Sequence, residues 1–495
     1  EIMPSLVGSE MCIRDRYNYL NNTNYKKNTR RAMLTGNFKA SALYGLQIEA
    51  FKSAVIAPQS CLKNYERGIN SSSLAAAFPF VRIFVIDKGG IMLGENKTNR
   101  YPFIFDLWKR GNLYQNSNAM IIGKSGSGKS FFLKSLILNE WANNTRVIVC
   151  DPEAEYLTLT RNLKGNIIDV GNAKEGRINP FHIYKILTEE GTPADPVVTF
   201  NTHLKMLESF FKIVLVGASQ DVIELINNLV VETYERKGIT ETTDCSGFKA
   251  EDFPLFSDLL ETLQAKDKEG MDSLTLRDMR TAELYLTKFV SGRYSDIWNA
   301  PSTLKTDASI IDFNFQSLFA NKNNVVANAQ MLLVFRFIEQ EVINARELNR
   351  YGKNLHTMIV CDEAHLFIDA KFPIALDFFY QMSKRIRKYN GSFIPATQNI
   401  ADWNANEELR SKTSAIIKNS QYLFIFKLAA PDMKDVLDVY KAGDSFNEEE
   451  QCMIISAVTG QAFFVGSSEL RACVRIKAGE YARELFEDKT NTEEK

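Results

Sequence analysis

Almost no net charge, no paired cysteines and no long apolar run: these absences bound what this 495-residue chain does. A net charge of −1 supplies no global attraction for nucleic acid or anionic lipid, so contacts of that kind have to come from local patches. The seven cysteines form no C-x-x-C pair, and Cys150 and Cys361 sit inside apolar runs as small hydrophobes, a usage that fits a reducing compartment. His182, His203, His356 and His365 show no zinc-ligand spacing with cysteine, which argues against a zinc enzyme. No apolar stretch approaches bilayer length, so any membrane role has to pass through a partner or a missing segment, and with the cysteine usage the expectation is a cytoplasmic chain, peripheral at the membrane through partners.

What is present is ordinary globular composition, 45% apolar and 24% charged, on a chain long enough for about two to four domains. Residues 1–16 have neither helical nor strand periodicity nor the layout of a signal peptide. They read as a sequencing artefact, with the native chain beginning upstream of Tyr17. Residues 17–99 start basic (Lys26, Lys27, Arg30, Arg31), continue with a helical stretch around Ala40 to Val55 and a strand-like Val81 to Ile86, and read as the remnant of an N-terminal domain and the approach to a motor domain.

From 100 to 194, strands at Met120, Arg146 to Cys150 and Asn166 to Val170 alternate with a helical run from Ser130. That alternation predicts an α/β fold, a parallel sheet covered by helices. From 195 to 301 the spacing turns helical, as in Leu204, Leu207, Phe211 and Val222, Leu225, Ile226, Leu229, and predicts an all-α insertion. Strand patterns return between 302 and 484, at Ser309 to Phe313, Thr357 to Cys361, Ser392 to Ala396 and Tyr422 to Phe426, with a hairpin of Gln461 to Val465 and Ala472 to Ile476. Residues 485–495 are charged and apolar-poor, the composition of a disordered tail.

Three constellations carry chemistry. Gly123, Lys124, Ser125, Gly126, Ser127, Gly128, Lys129 and Ser130 spell a complete phosphate loop between the apolar strand Ala119 to Ile122 and a helix. Its glycines let successive N–H groups point at phosphates, Lys129 reaches the β- and γ-phosphates, and Ser130 offers its hydroxyl to Mg²⁺. The second is the apolar run Thr357 to Cys361 ending in Asp362 and Glu363, a Walker B pattern in which Asp362 holds Mg²⁺ and Glu363 orients the attacking water. In the third, Lys384, Arg385, Arg387 and Lys388 precede a strand that ends at Gln398, whose amide is suited to sense the γ-phosphate or position water. The cations have two readings: complements to a helix C-terminus, or, for Arg385 or Arg387, a finger inserted into a neighbouring subunit's site.

Together with Asp151-Pro152-Glu153-Ala154-Glu155-Tyr156, Arg177-Ile178-Asn179-Pro180-Phe181 and Asp362-Glu363-Ala364-His365, the stretch ending Ala396-Thr397-Gln398 resembles the VirB/TraC-type ATPases of conjugative type IV secretion systems. Ser72-Ser73-Leu74, Phe78-Pro79-Phe80 and Gly94-Glu95-Asn96 add to the similarity, which runs from about Ser71 to Ile476. The resemblance implies a RecA-like motor of the HerA/FtsK lineage, using ATP and Mg²⁺, commonly hexameric, and powering channel or pilus assembly beside inner-membrane components of a secretion channel. The family's large N-terminal domain is mostly missing from this sequence. Asp151 and Glu153 either face Mg²⁺ or cap the next helix, and Asn96 and Asn179 either shape the nucleotide site or serve as turn residues. Two other classes share the motifs: a DNA-translocating ATPase or helicase of the same lineage, with DNA or a relaxase–DNA complex as substrate, and a nucleotide-gated scaffold. No strongly basic stripe is visible, which favours a protein-handling motor, and the presence of Glu363 weighs against the scaffold.

Overall fold

The computed structural model describes residues 45–54, 61–62, 84–172, 176–184, 186, 192–267, 269, 271–304, 308–320, 324–350, 355–368, 374–398, 407–440, 446–467 and 470–487. The basic start at Lys26 to Arg31 and the stretch Ser72 to Phe80 lie outside them. The chain divides into two compact units, Glu1–Ile83 and Phe84–Lys495. In the first, α1 (Gln47–Ala54) falls within the expected helical stretch, and Ser53 Oγ accepts the Cys61 N–H at 2.9 Å.

The second unit is built on one eleven-stranded sheet in the order β2-β1-β11-β10-β9-β3-β8-β7-β4-β6-β5. Its strands are β1 (Ile91–Asn96), β2 (Pro102–Phe105), β3 (Ala119–Ile122), β4 (Arg146–Asp151), β5 (Asn166–Asp169), β6 (Ile310–Asn314), β7 (Thr357–Cys361), β8 (Gly391–Thr397), β9 (Tyr422–Phe426), β10 (Gln461–Val465) and β11 (Arg471–Ile476). Pairing is parallel from β5 through β6, β4, β7, β8 and β3 to β9. Beyond β9 it turns antiparallel through β10, β11, β1 and β2.

Strands buried on both faces read as nearly continuous apolar runs, and Ala119 to Ile122, Val147 to Cys150 and Thr357 to Cys361 are buried throughout. Their alternate side chains feed two cores. Ala119, Ile121, Val147 and Val149 pack with Phe132, Leu136 and Leu159 from α2 (Lys129–Ala142) and α3 (Leu157–Asn162). Met120, Ile122, Ile148 and Cys150 face the opposite side. There they join a core with α4 (Pro196–Val214), α5 (Gln220–Arg236), α6 (Phe256–Gln264), α7 (Ser273–Val290), α8 (Asn324–Arg350) and α9 (Ile374–Arg385). The expected α/β sheet with helices on both faces is therefore the fold.

Between Pro196 and Trp298 the described elements are all helical, and their boundaries follow local chemistry. Asp195 accepts the Val197 N–H ahead of Pro196, Ser219 accepts from Val222, and Asp272 accepts from Thr275. This layer shares its core with the sheet. Trp298, fully buried, donates to Gln330 Oε1 at 3.0 Å, and Gln330 Nε2 donates to the Val170 carbonyl at 2.9 Å.

Two boundaries differ from the sequence reading. The sheet begins before residue 100, because β1 pairs with β11 and β2 with β1. Gly94 breaks the apolar alternation of β1 and lies against the Arg475 backbone so closely that a Cβ there would stand 2.0 Å from its carbonyl oxygen. At the other end, the helix Glu480–Phe486 extends past residue 484, and Phe486 is buried with its ring edge-on to Phe131.

Candidate nucleotide site

The phosphate loop leaves the carboxyl end of β3 between two neighbours. Gly123 N–H donates to the Thr397 carbonyl at 3.2 Å and Lys124 N–H to that of Lys427 at 3.0 Å, which pins the loop to the ends of β8 and β9. A Cβ on Gly123 would meet the Phe426 Cβ at 2.5 Å, so only glycine fits there. Gly128, with φ 103°, turns the chain into α2 with no side chain capping that helix. The N-terminal turn thus keeps its positive dipole end directed at whatever lies in the loop.

A second wall was not legible in the sequence. Thr459 Oγ1 donates to the Gly126 carbonyl at 3.2 Å, and Gly460 N–H donates to that of Ser127 at 2.9 Å. The turn ahead of β10 therefore supports the outer side of the loop. The resulting cleft is lined by Lys124, Ser125, Gly126, Gly128, Lys129 and Ser130 from the loop, with Glu153, Glu363, Gln398 and Thr459 around it.

The strand order explains how the acids arrive. β8 lies between β3 and β7, so Gln398, just beyond β8, stands between the phosphate loop and the end of β7. Glu363 takes a left-handed conformation (φ 41°) that turns its carboxylate towards the loop. Its Oε1 accepts from Lys129 Nζ at 2.7 Å and from Gln398 Nε2 at 2.5 Å, while His365 Nδ1 stands 3.3 Å from Oε2. Lys129 and Glu363 are 4% and 5% exposed, so this ion pair is shielded from solvent screening.

Asp362 sits behind Glu363 and is buried. Its Oδ2 accepts from the Tyr156 hydroxyl at 2.7 Å and its Oδ1 from the Glu363 N–H at 2.8 Å. Burial pushes its carboxyl up to about 6, against the opposing pull of the Tyr156 hydrogen bond and the Lys129 charge. Glu153, on the cleft rim, is also raised, first by burial and then by the Glu363 charge.

Of the residues singled out by sequence, Lys124 to Gly126, Gly128 to Ser130, Glu363 and Gln398 converge on one cleft, with Asp362 behind Glu363. Gly123 supports the loop from its strand end, and Ser127 is buried within it. Arg385 and Arg387 are elsewhere in the chain. They precede Gly391, which pairs with Thr357 at the amino end of β7, whereas the phosphate loop lies at the carboxyl edge of the sheet. The open pairs of readings also divide. Asp151 accepts backbone N–H groups of its own loop, Asn96 accepts from Thr98 and Asn99, and Asn179 accepts from Phe181, so all three shape turns, while Glu153 faces the cleft.

A glycine-rich phosphate loop after a central parallel strand, with acids two strands away and a polar side chain on the strand between, defines a RecA-like P-loop NTPase domain. Residues 90–461 match the TraG P-loop domain family, and the chain belongs to that family. It is similar to VirB4 of Thermoanaerobacter pseudethanolicus, with a TM-score of 0.66 and 29% identity, over 81% of this chain and 99% of that structure's chain. It is 22% identical over 429 residues to an uncharacterized protein of Bacillus anthracis, covering 80% of this chain and 65% of the relative. Protein TraC of Escherichia coli (strain K12) is 23% identical over 375 residues, 75% of this chain and 39% of TraC. The chain thus spans 65% and 39% of the length of these curated relatives. The resemblance to VirB/TraC-type proteins carried by the motifs agrees with these similarities.

Proposed function

We propose that this chain binds ATP with Mg²⁺ and hydrolyses it as one subunit of an oligomeric motor, commonly a hexamer in this lineage, that energises a conjugative type IV secretion system. The observation that carries the reading is the meeting of Lys129, Glu363 and Gln398 at one carboxylate, on the wall of a cleft formed by the phosphate loop. Lys129 binds the β- and γ-phosphates in place of Glu363. Glu363 then orients the attacking water, and Gln398 holds Glu363 or the γ-phosphate in register. Mg²⁺ keeps several waters and takes one or two carboxylates together with phosphate oxygens. The Ser130 hydroxyl on the cleft wall and the buried, doubly hydrogen-bonded Asp362 fit that demand. When bound, the ion neutralises charge on the phosphates.

No helix among the described residues is long and apolar enough to cross a membrane. A place at the cytoplasmic face, held by inner-membrane components of the channel, accords with the family. Arg385 or Arg387 completes a site only from a second copy, since neither reaches the cleft of its own chain. The test is ATP turnover by the purified protein with Mg²⁺, with and without single- and double-stranded DNA. DNA-independent turnover that Lys129→Ala removes is expected. Turnover that requires DNA would favour a DNA translocase of the same lineage, and no turnover in an assembled wild-type oligomer would reject the motor.

A further inference from the structure

The connection from β4 to α3 runs along the carboxyl edge of the sheet and is tightly held. Asp151, buried at the end of β4, accepts the backbone N–H groups of Glu153, Glu155 and Tyr156 at 3.2, 3.1 and 2.8 Å. These bonds fix where Tyr156 leaves the backbone. The tyrosine is 1% exposed, and its hydroxyl ends 2.7 Å from Asp362 Oδ2, a contact spanning 206 residues of sequence.

The chemistry of that contact is specific. A carboxylate's terminal torsion is broad when nothing holds it. Here Oδ2 takes the phenolic O–H and Oδ1 takes the Glu363 N–H, so one donor from each side fixes the carboxylate plane. Ring packing alone would be served by phenylalanine. The hydroxyl adds a donor to an acid whose neighbour in sequence, Glu363, already bonds Lys129. We propose that Tyr156 is a positioning residue for the metal–nucleotide complex, acting through Asp362 by fixing the orientation of its carboxylate. The inference rests on the nucleotide-site reading above and adds a residue outside the phosphate loop and the acidic pair.

Partners behind a metal-binding carboxylate contribute about 10- to 100-fold in metal affinity. Tyr156→Phe in the full chain removes the hydroxyl and keeps the ring. The probe is Mn²⁺, titrated by electron paramagnetic resonance against protein saturated with a non-hydrolysable ATP analogue. The variant is expected to bind Mn²⁺ about 10-fold or more weakly, with analogue affinity in EDTA at its wild-type value and a modest fall in melting temperature from the stranded Asp362 acceptor. Hydrolysis lost at limiting Mg²⁺ is expected to recover as Mg²⁺ is raised. Wild-type Mn²⁺ affinity in the variant overturns the proposal. So does a fall in metal-free analogue binding that matches the loss of Mn²⁺ affinity, which would make Tyr156 a packing residue. Wild-type protein that binds the analogue but gains no Mn²⁺ affinity from it would overturn the assignment of Asp362 to the metal, and the proposal with it. Failure to bind the analogue at all would reject the nucleotide site itself.

Discussion

Lys129 Nζ lies 2.7 Å from Glu363 Oε1, joining two residues 234 positions apart in a nearly solvent-free ion pair. The cation proposed to grip phosphate and the carboxylate proposed to orient water are thus partners of each other. On the proposed function, phosphate would replace Glu363 as the partner of Lys129, and that exchange would free the carboxylate.

Lys129→Ala is expected to abolish hydrolysis and greatly weaken ATP binding. It also strands Glu363 as a buried anion, and breaking one side of a buried pair costs about 3–5 kcal/mol. Its melting temperature should fall, and adding Glu363→Gln should restore much of it without restoring activity. Thermal melts of the two variants and wild type make the comparison; an unchanged single mutant would mean that the pair adds nothing to the fold.

Glu363→Gln keeps the shape of the side chain and removes the charge proposed to orient water. ATP binding should persist while turnover falls by about 10²- to 10⁴-fold, the range for loss of a positioned base. Equilibrium binding beside single-turnover hydrolysis separates the effects. Affinity lost together with rate would show Glu363 to be structural.

Arg387→Ala tests whether the site is completed between copies. Because Arg387 and the phosphate loop occupy opposite edges of the sheet, a catalytic effect has to come from a neighbouring subunit. Binding should be preserved, with hydrolysis reduced by about 10³- to 10⁵-fold if the arginine is a finger. In mixed oligomers, activity should fall more steeply than the wild-type fraction. A strictly linear titration in co-assembled oligomers would favour the helix-end role.

Acid should weaken the α-helical layer through two histidines. His203, on α4, shares a 2.8 Å hydrogen bond with the Tyr234 hydroxyl, and burial pushes its pKa down to about 3, while burial pushes that of His182 to about 4. Both fall from an ordinary value of 6.5, so between these limits the unfolded chain binds protons that the folded chain does not. Their contribution to stability is therefore complete above about pH 6.5 and declines as pH falls, by about 2 kcal/mol each at pH 5. Denaturant unfolding at pH 7 and pH 5 should show His203→Leu to be less acid-sensitive than wild type. Equal sensitivity would contradict a buried neutral imidazole.

The parts of this site legible in the sequence are those written in one continuous stretch. Ala119 to Ser130 and Thr357 to Glu363 each contain a buried strand and the turn it delivers, so an apolar run followed by glycines or acids reveals both location and role. Gln398 is legible for the same reason, as the first polar residue after β8. Tyr156 and Thr459 carry no such local mark. One reaches Asp362 and the other Gly126, 333 residues away, through a strand order that local periodicity does not encode. The edge strand β2 and its neighbour β1 escape for a related reason: Gly94 and Pro102 weaken their patterns, and antiparallel pairing holds them in the sheet. The arginine cluster shows the limit from the other side, since closeness in sequence to Gln398 puts it at the far end of the strand that separates them.

The bonds from Thr459 and Gly460 to the phosphate loop tie the nucleotide cleft to the root of β10, and from there to β11, β1 and β2. The cleft is thus braced from two directions, by the parallel strands that deliver its acids and by the turn that opens the antiparallel side of the sheet.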